Sequence, residues 1–197
     1  AQAGRTGIEK YVESWLPRNV NARPNARVFI YFSGHGAPDT ATGQAYFLPW
    51  DGDPKFLENT GYPLSRLYAK LNALKAKQVI VALDSCFSGA GERSVLAKGT
   101  RPLVLKIDSG KSSIGKLVVL TASAADEITG SEETQGHGLF TYHLLKGLSD
   151  KDGDATVQSL YEQLLPNVQD AARRENREQT PQLLPTDLGA KAHLKLR

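Results

Sequence analysis

The sequence contains a single cysteine and no methionine, and both scarcities limit what the chain can be. One cysteine excludes an internal disulfide framework and a zinc site built from cysteines. Methionine is missing even at position 1. We therefore expect a fragment or a processed product, and the lack of a signal peptide carries little weight.

Long apolar runs and a strong charge imbalance are also missing. No apolar run approaches the roughly 20 residues that a membrane helix needs, so we expect no membrane segment in this chain. The formal net charge is only +3, which gives no reason to expect a nucleic-acid partner. The length of 197 residues fits one domain, and we expect it to span the whole chain, 1–197.

Two short segments carry reactive side chains just after strand-like runs. His35 follows the run 28–32 in the sequence Ser-Gly-His-Gly, and Cys86 follows the run 79–83 in the sequence Asp-Ser-Cys. They are 51 residues apart, which suits two neighbouring parallel strands joined by a crossover helix. The carboxyl ends of such strands meet at one sheet edge. A thiol beside an imidazole is a nucleophile beside its general base, so we predict these roles for Cys86 and His35.

Each assignment has a simpler alternative. A lone cysteine is more often a buried, inert, small apolar residue, but Cys86 lies outside its strand and follows a histidine motif. His137 also stands in Gly-His-Gly, and it competes with His35 for the role of base. His35 directly follows a buried strand, which fixes its position, whereas His137 follows a polar loop. We therefore favour His35, and we expect His143 and His193 to be structural.

Strand-like and helical segments alternate along the chain, which predicts an α/β fold with a mostly parallel sheet. The run 27–32 is apolar at nearly every position, as expected for a strand covered on both faces. Thr156 is suited to cap a last helix whose apolar face starts at Val157. We expect Pro166 to kink or shorten that helix.

The motifs Ser33–Gly36 and Asp84–Cys86 resemble those of the caspase-like cysteine peptidases (clan CD, peptidase family C14). They are closer to metacaspases and bacterial caspase-like proteins than to animal caspases, which carry Gln-Ala-Cys. The segments 120–127, 136–142 and 179–182 also look like the second half of bacterial members.

This resemblance implies a three-layer αβα sandwich with a six-stranded sheet. The resemblance implies that this chain starts after the family's first two strands and their helix, so we expect a second chain or an N-terminal segment to complete the sheet. A large-subunit-like part would span about 1–92, a basic loop about 93–116 and a small-subunit-like part about 117–197. Six basic residues of this loop region are candidate self-cleavage sites of a zymogen: Arg93, Lys98, Arg101, Lys106, Lys111 and Lys116. A basic surface loop with no regulatory role is the equally open alternative.

The implied activity is that of a cysteine endopeptidase with a Cys-His dyad and a protein or peptide substrate. The backbone N–H groups of Gly36 and Cys86 could form the oxyanion hole. By resemblance to metacaspases, Asp84 and Ser33 would bind a P1 Arg or Lys in the S1 pocket. The alternative for Asp84 is a strand-end carboxylate that accepts backbone hydrogen bonds. Glu127 and its neighbour Asp126 could contribute to S1, but a solvated loop is the simpler interpretation.

Other functions remain open for the same residues. One is an interaction module with a caspase-like fold and no activity, and another is a peptide ligase or other acyl transferase that uses the same dyad. The chemistry requires no cofactor. The stretches 51–53 and 150–154 suggest calcium, but Ala155 and Tyr161 stand at two positions where a calcium loop needs Gly and Glu. A solvated turn is favoured there, and we assign no metal site.

Overall fold

The structure is a computed structural model that describes residues 3–23, 25–39, 42–85, 115–124, 127, 131–132, 137–150 and 154–196, with the backbone alone at 131, 132 and 137. Its strands are β1 (Arg27–Ser33), β2 (Gly36–Pro38), β3 (Ala45–Phe47), β4 (Tyr62–Pro63), β5 (Gln78–Asp84), β6 (Val118–Thr121), β7 (Ser131–Glu132), β8 (His137–Gly138) and β9 (Gln182–Leu184). Its α-helices are α1 (Arg5–Glu9), α2 (Leu16–Val20), α3 (Leu57–Thr60), α4 (Leu64–Asn72), α5 (Leu139–Asp150) and α6 (Val157–Arg174). A π-helical segment, Lys10–Trp15, joins α1 to α2, and short 3-10 helices span Pro54–Phe56 and Gly189–His193.

The main sheet has four strands in the order β1-β5-β6-β9. Strands β1, β5 and β6 run parallel, and β9 is antiparallel to β6. The crossover between β1 and β5 contains α4. The sequence prediction of a mostly parallel sheet with two adjacent strands before the histidine and cysteine motifs is therefore confirmed.

Helices cover both faces of this sheet and give the predicted three layers. On one face, residues such as Val79 and Val81 of β5 pack with the buried side of α4, and α1 and α2 contribute Ile8 and Leu16 at the margin. On the other face, Ile80 of β5 packs with α5 and α6. Alternate residues of β5 thus enter two separate cores, and all seven of its residues are buried.

Strand β1 differs from its prediction, because it is covered on one face only. Val28 is buried, but Phe29 and Tyr31 are 40% and 45% exposed. Within the described residues β1 is an edge strand, paired only with β5. The two aromatic residues stand beside Ile80 and Ala82 in the register, on the face that α5 and α6 cover over the inner strands. The apolar run correctly indicated a strand but could not reveal that one face is exposed.

The last helix, α6, begins as the sequence predicted. The Thr156 hydroxyl accepts a hydrogen bond from the Ser159 backbone N–H, and Ser159 reciprocates in a capping box. Pro166 lies inside the helix and does not shorten it, since the helix continues to Arg174. The buried residues Leu160, Leu164 and Val168 hold one side of α6 against the sheet on either side of the proline. In the described part of the chain, no helix has the length and apolar character to cross a membrane.

Candidate active site

His35 lies between β1 and β2, at the carboxyl end of the sheet, and its side chain is exposed. Its carbonyl oxygen accepts a 2.9 Å hydrogen bond from the N–H of Leu48. The preceding Gly34 leaves room for an aromatic ring, because a Cβ there would lie 3.1 Å from the Phe32 side chain. That ring stacks on Phe47 with centroids 3.9 Å apart. The backbone around His35 is thus held by close packing.

Gly36 has a backbone geometry that suits the donor role predicted for it. It is opposite Phe47 in the antiparallel pair of β2 and β3. Hydrogen bonds join the residue pairs just beyond the two ends of this β2–β3 ladder, from the Leu48 N–H to the His35 carbonyl and from the Asp39 N–H to the Gln44 carbonyl. Hydrogen-bonded and non-hydrogen-bonded pairs alternate in such a ladder. Gly36 therefore occupies a non-hydrogen-bonded position, and its N–H points away from β3.

Strand β5, which leads to Cys86, is hydrogen-bonded to the segment that carries His35. Ser33 and Asp84 are register partners at the ends of β1 and β5. Beyond them the Gly34 N–H donates to the Asp84 carbonyl at 3.3 Å, and the hydroxyl of Ser85 donates to the Gly34 carbonyl at 2.9 Å. The residue before Cys86 is thus hydrogen-bonded to the residue before His35. Cys86 itself lies outside the described residues.

Asp84 is fully buried, whereas Ser33 is exposed. The Asp84 carboxylate accepts a hydrogen bond from the Thr141 hydroxyl of α5. The Thr141 oxygen also lies 2.6 Å from the hydroxyl of Tyr31. The Thr141 hydroxyl therefore joins β5, α5 and β1. Sequence reasoning missed Thr141 and Tyr31, although both lie in segments singled out there.

The loop after β6 is held by a carboxylate that the sequence left without a definite role. Glu127 accepts hydrogen bonds from the N–H of Ala124 at 3.0 Å, from the N–H of Thr180 at 2.5 Å and from the Thr180 hydroxyl at 2.7 Å. Next to it, the buried Gln179 side chain donates to the Ala122 carbonyl at 2.9 Å. Glu127 is thus not simply solvated, and it connects two loops. Asp126 lies outside the described residues.

Of the remaining candidate site residues, some lie in the described part of the chain and others lie outside it. The His137 side chain, Asp152 and the basic residues from Arg93 to Lys111 lie outside the described part. Asp51 accepts a hydrogen bond from the Arg5 N–H, and Asp53 accepts one from the Lys55 N–H. The described residues include no group of three or more potential metal ligands. The interpretation of 51–53 and 150–154 as solvated turns stays a prediction.

The fold and site define a class: a three-layer α/β domain with a histidine segment and a cysteine-bearing segment at adjoining parallel strand ends. Residues 3–193 match the family model of the caspase domain, peptidase C14. The chain belongs to this family, which supports a cysteine-peptidase type of function in general terms.

One solved structure illustrates the shared fold. Caspase-1 from Spodoptera frugiperda superposes with a TM-score of 0.59 at 14% sequence identity, over 92% of this chain and 68% of that chain. At this identity the likeness concerns the fold alone. A sequence search of curated proteins finds no match.

Proposed function

We propose that the protein is a cysteine endopeptidase in which Cys86 is the nucleophile and His35 the general base. The observation that carries this proposal is the hydrogen bond from the Ser85 hydroxyl to the Gly34 carbonyl, 2.9 Å long. It joins the two backbones one residue before each reactive group. Cys86 and His35 also stand at equivalent positions, each two residues beyond the register pair Ser33 and Asp84.

The reaction follows from these groups. His35 accepts the thiol proton, and the Cys86 sulfur attacks the scissile carbonyl. The N–H groups of Gly36 and Cys86 bind the oxyanion, and the orientation of the Gly36 N–H away from β3 supports its part. Protonated His35 then gives its proton to the leaving amine. Water attacks the acyl-enzyme and restores the thiol.

We further propose that the enzyme cleaves after Arg or Lys, with Asp84 and Ser33 in the S1 pocket. The support is a buried carboxylate at the same strand end, one residue from Ser85. A substrate guanidinium offers such a carboxylate a charged partner with two parallel hydrogen bonds. Because Asp84 is fully buried, the side chains over it must move when substrate enters.

The test is a panel of fluorogenic peptides that differ only at P1, assayed with wild type, Asp84→Asn and Cys86→Ala. Wild type should cleave after Arg and Lys and not after Asp. Asp84→Asn should lose about a hundredfold or more on the basic substrates, the range for removing one partner of a buried charged pair. Preferred cleavage after Asp would overturn the specificity, and full activity of Cys86→Ala would overturn the enzyme assignment.

We also propose that another strand completes the sheet. The outer edge of β1 has no strand partner within the described residues, and Phe29 and Tyr31 are exposed on one face of this strand. A strand from a second chain or an N-terminal segment would pair with the backbone N–H and carbonyl groups along this edge.

A further inference from the structure

Three elements meet at the Thr141 hydroxyl, next to Asp84. The carboxylate comes from the last residue of β5, Thr141 from the first turn of α5 and Tyr31 from β1. Asp84 is 0% exposed and Thr141 is 6% exposed, whereas Tyr31 is 45% exposed. These three side chains therefore extend from a fully buried carboxylate to a tyrosine at the surface.

The hydrogen bonds in this contact have a defined direction. A carboxylate only accepts, so the single proton of the Thr141 hydroxyl goes to Oδ2 of Asp84. The Tyr31 hydroxyl, 2.6 Å from Thr141 Oγ1, must then donate to it. The result is a chain from Tyr31 through Thr141 to Asp84. Successive hydrogen bonds of this kind polarise and strengthen one another.

Core packing fixes the position of the middle hydroxyl. Leu139 and Phe140, the two residues before Thr141, are 0% exposed and pack in the core formed with α6. Thr141 therefore cannot shift without disturbing that core. The Asp84 carboxylate is consequently held in one orientation by a rigid neighbour.

We propose that Thr141 and Tyr31 are positioning residues that orient the Asp84 carboxylate for a P1 arginine. This inference rests on the proposed function. A planar guanidinium binds a carboxylate through two parallel hydrogen bonds and needs the carboxylate plane fixed. A lysine ammonium is a compact charge that tolerates other orientations. The hydroxyl chain thus favours Arg over Lys at P1, beyond any general attraction for positive charge.

The experiment compares kcat/KM for two peptides that differ only by Arg or Lys at P1. Thr141→Val keeps the side-chain shape and removes the hydroxyl, and it should lower cleavage after Arg by about tenfold, the effect of losing one hydrogen bond to a charged group. Cleavage after Lys should fall less. The Arg-to-Lys ratio, which is kcat/KM for the Arg peptide divided by kcat/KM for the Lys peptide, should therefore move toward one. Thr141→Ser restores the hydroxyl and should restore the ratio. Tyr31→Phe should have a smaller effect of about threefold, because Tyr31 acts through Thr141.

Tyr68→Phe is the matched control, because it also removes a tyrosine hydroxyl. Tyr68 lies in the core on the opposite face of the sheet, and its hydroxyl has no hydrogen-bond partner in the described part of the protein. Its Arg-to-Lys ratio should equal that of wild type. Melting temperatures of all variants report folding. Tyr31→Phe alters an exposed residue, so it keeps the test decisive if Thr141→Val does not fold.

The outcomes separate this inference from the proposed function. If wild type prefers Arg but Thr141→Val and Tyr31→Phe keep its ratio, or lower both rates equally, the positioning role is wrong and the peptidase stands. If wild type cleaves peptides without preferring a basic P1 residue, both the specificity and the positioning role are wrong. If wild type neither cleaves any peptide nor binds a peptide aldehyde ending in argininal, the proposed function fails and this inference fails with it.

Discussion

The hydroxyl of Ser85 donates a 2.9 Å hydrogen bond to the carbonyl oxygen of Gly34. Ser85 is 3% exposed, so little water competes for this contact. The bond extends the pairing of β1 and β5 past the strand ends, to the residues that precede His35 and Cys86. Ser85 thereby connects the segment that carries Cys86 to the segment that carries His35.

Replacing Ser85 by Ala should reduce kcat by about tenfold with little change in KM, because small errors in the distance between reacting groups are costly. The free energy of unfolding should fall by about 1 kcal/mol, the usual net value of one hydrogen bond. Steady-state kinetics and urea unfolding measure both effects. Ser65→Ala, an exposed serine on α4, is the control and should change neither. Unaltered kcat in Ser85→Ala would show that this link does not position the dyad.

Glu127 should matter for substrate binding, because it connects the loop after β6 to Thr180, just before β9. Glu127→Gln cannot accept all three hydrogen bonds of the carboxylate in the same way, and we expect kcat/KM to fall by about tenfold. The fall should come mainly from KM. Glu178→Gln, at an exposed position, is the control. Wild-type kinetics in Glu127→Gln would argue that these loops do not border the substrate.

The sequence predicted the three parallel strands of the central sheet, but it did not predict β9, the short strand that pairs antiparallel with β6. Buried parallel strands are apolar on both faces, so β5 was easy to recognise, and the motif residues follow directly in the chain. The same rule misjudged β1, because an apolar run does not reveal which neighbour is present. Phe29 and Tyr31 could be recognised as exposed only once β1 was found at the sheet edge.

The contacts at Asp84 could not be predicted in the same way. Thr141 is 57 residues from Asp84 in the chain and Tyr31 is 110 residues from Thr141. Such contacts depend on how α5 packs against the sheet, and periodicity gives no information on that packing. Pro166 is a related case, because local chemistry predicted a kinked or shortened helix and tertiary packing maintained one that runs from Val157 to Arg174.

An ion-pair cluster between the N-terminal helical region and α4 should make stability depend on pH. Arg66 and Lys70 contact the Glu13 carboxylate at 2.7 and 3.1 Å, and the Tyr62 hydroxyl donates to it at 3.0 Å. Burial acts to raise the pKa of Glu13, but these hydrogen bonds outweigh it and hold the pKa below its ordinary value of 4.5.

A lowered pKa in the folded state means that Glu13 stabilises the protein above the pKa it has when unfolded. This contribution disappears as the pH falls through the lower, folded-state pKa. Glu13→Gln should therefore cost about 1 kcal/mol of unfolding free energy at pH 7 and much less at pH 3. Urea unfolding of both proteins at the two pH values measures this. An equal difference in unfolding free energy at pH 7 and pH 3 would contradict the role assigned to the Glu13 charge. Glu178→Gln is the control and should resemble wild type at both pH values.

Self-processing should occur within the basic loop and spare its last lysine. Lys116 donates from its backbone N–H to Asn72 at 3.1 Å and from its side chain to the Leu74 carbonyl, so it is fixed against the end of α4. Intact-mass spectrometry of purified wild type should therefore give two associated fragments cut after one of the basic residues from Arg93 to Lys111. Cys86→Ala should remain one chain. A fully active, uncut wild type would remove self-processing and leave the peptidase assignment intact.

The central claim is that Cys86 and His35 act together as nucleophile and base. Its most direct test is the rate of peptide cleavage by wild type, Cys86→Ala, His35→Ala and His137→Ala, with melting temperatures as a check on folding. We predict that both dyad variants are folded and lose activity by about a thousandfold or more, as expected for removing a group that takes part in the chemical step. His137→Ala should keep most of the wild-type rate. Substantial cleavage by Cys86→Ala, or loss of activity in His137→Ala but not in His35→Ala, would contradict the account.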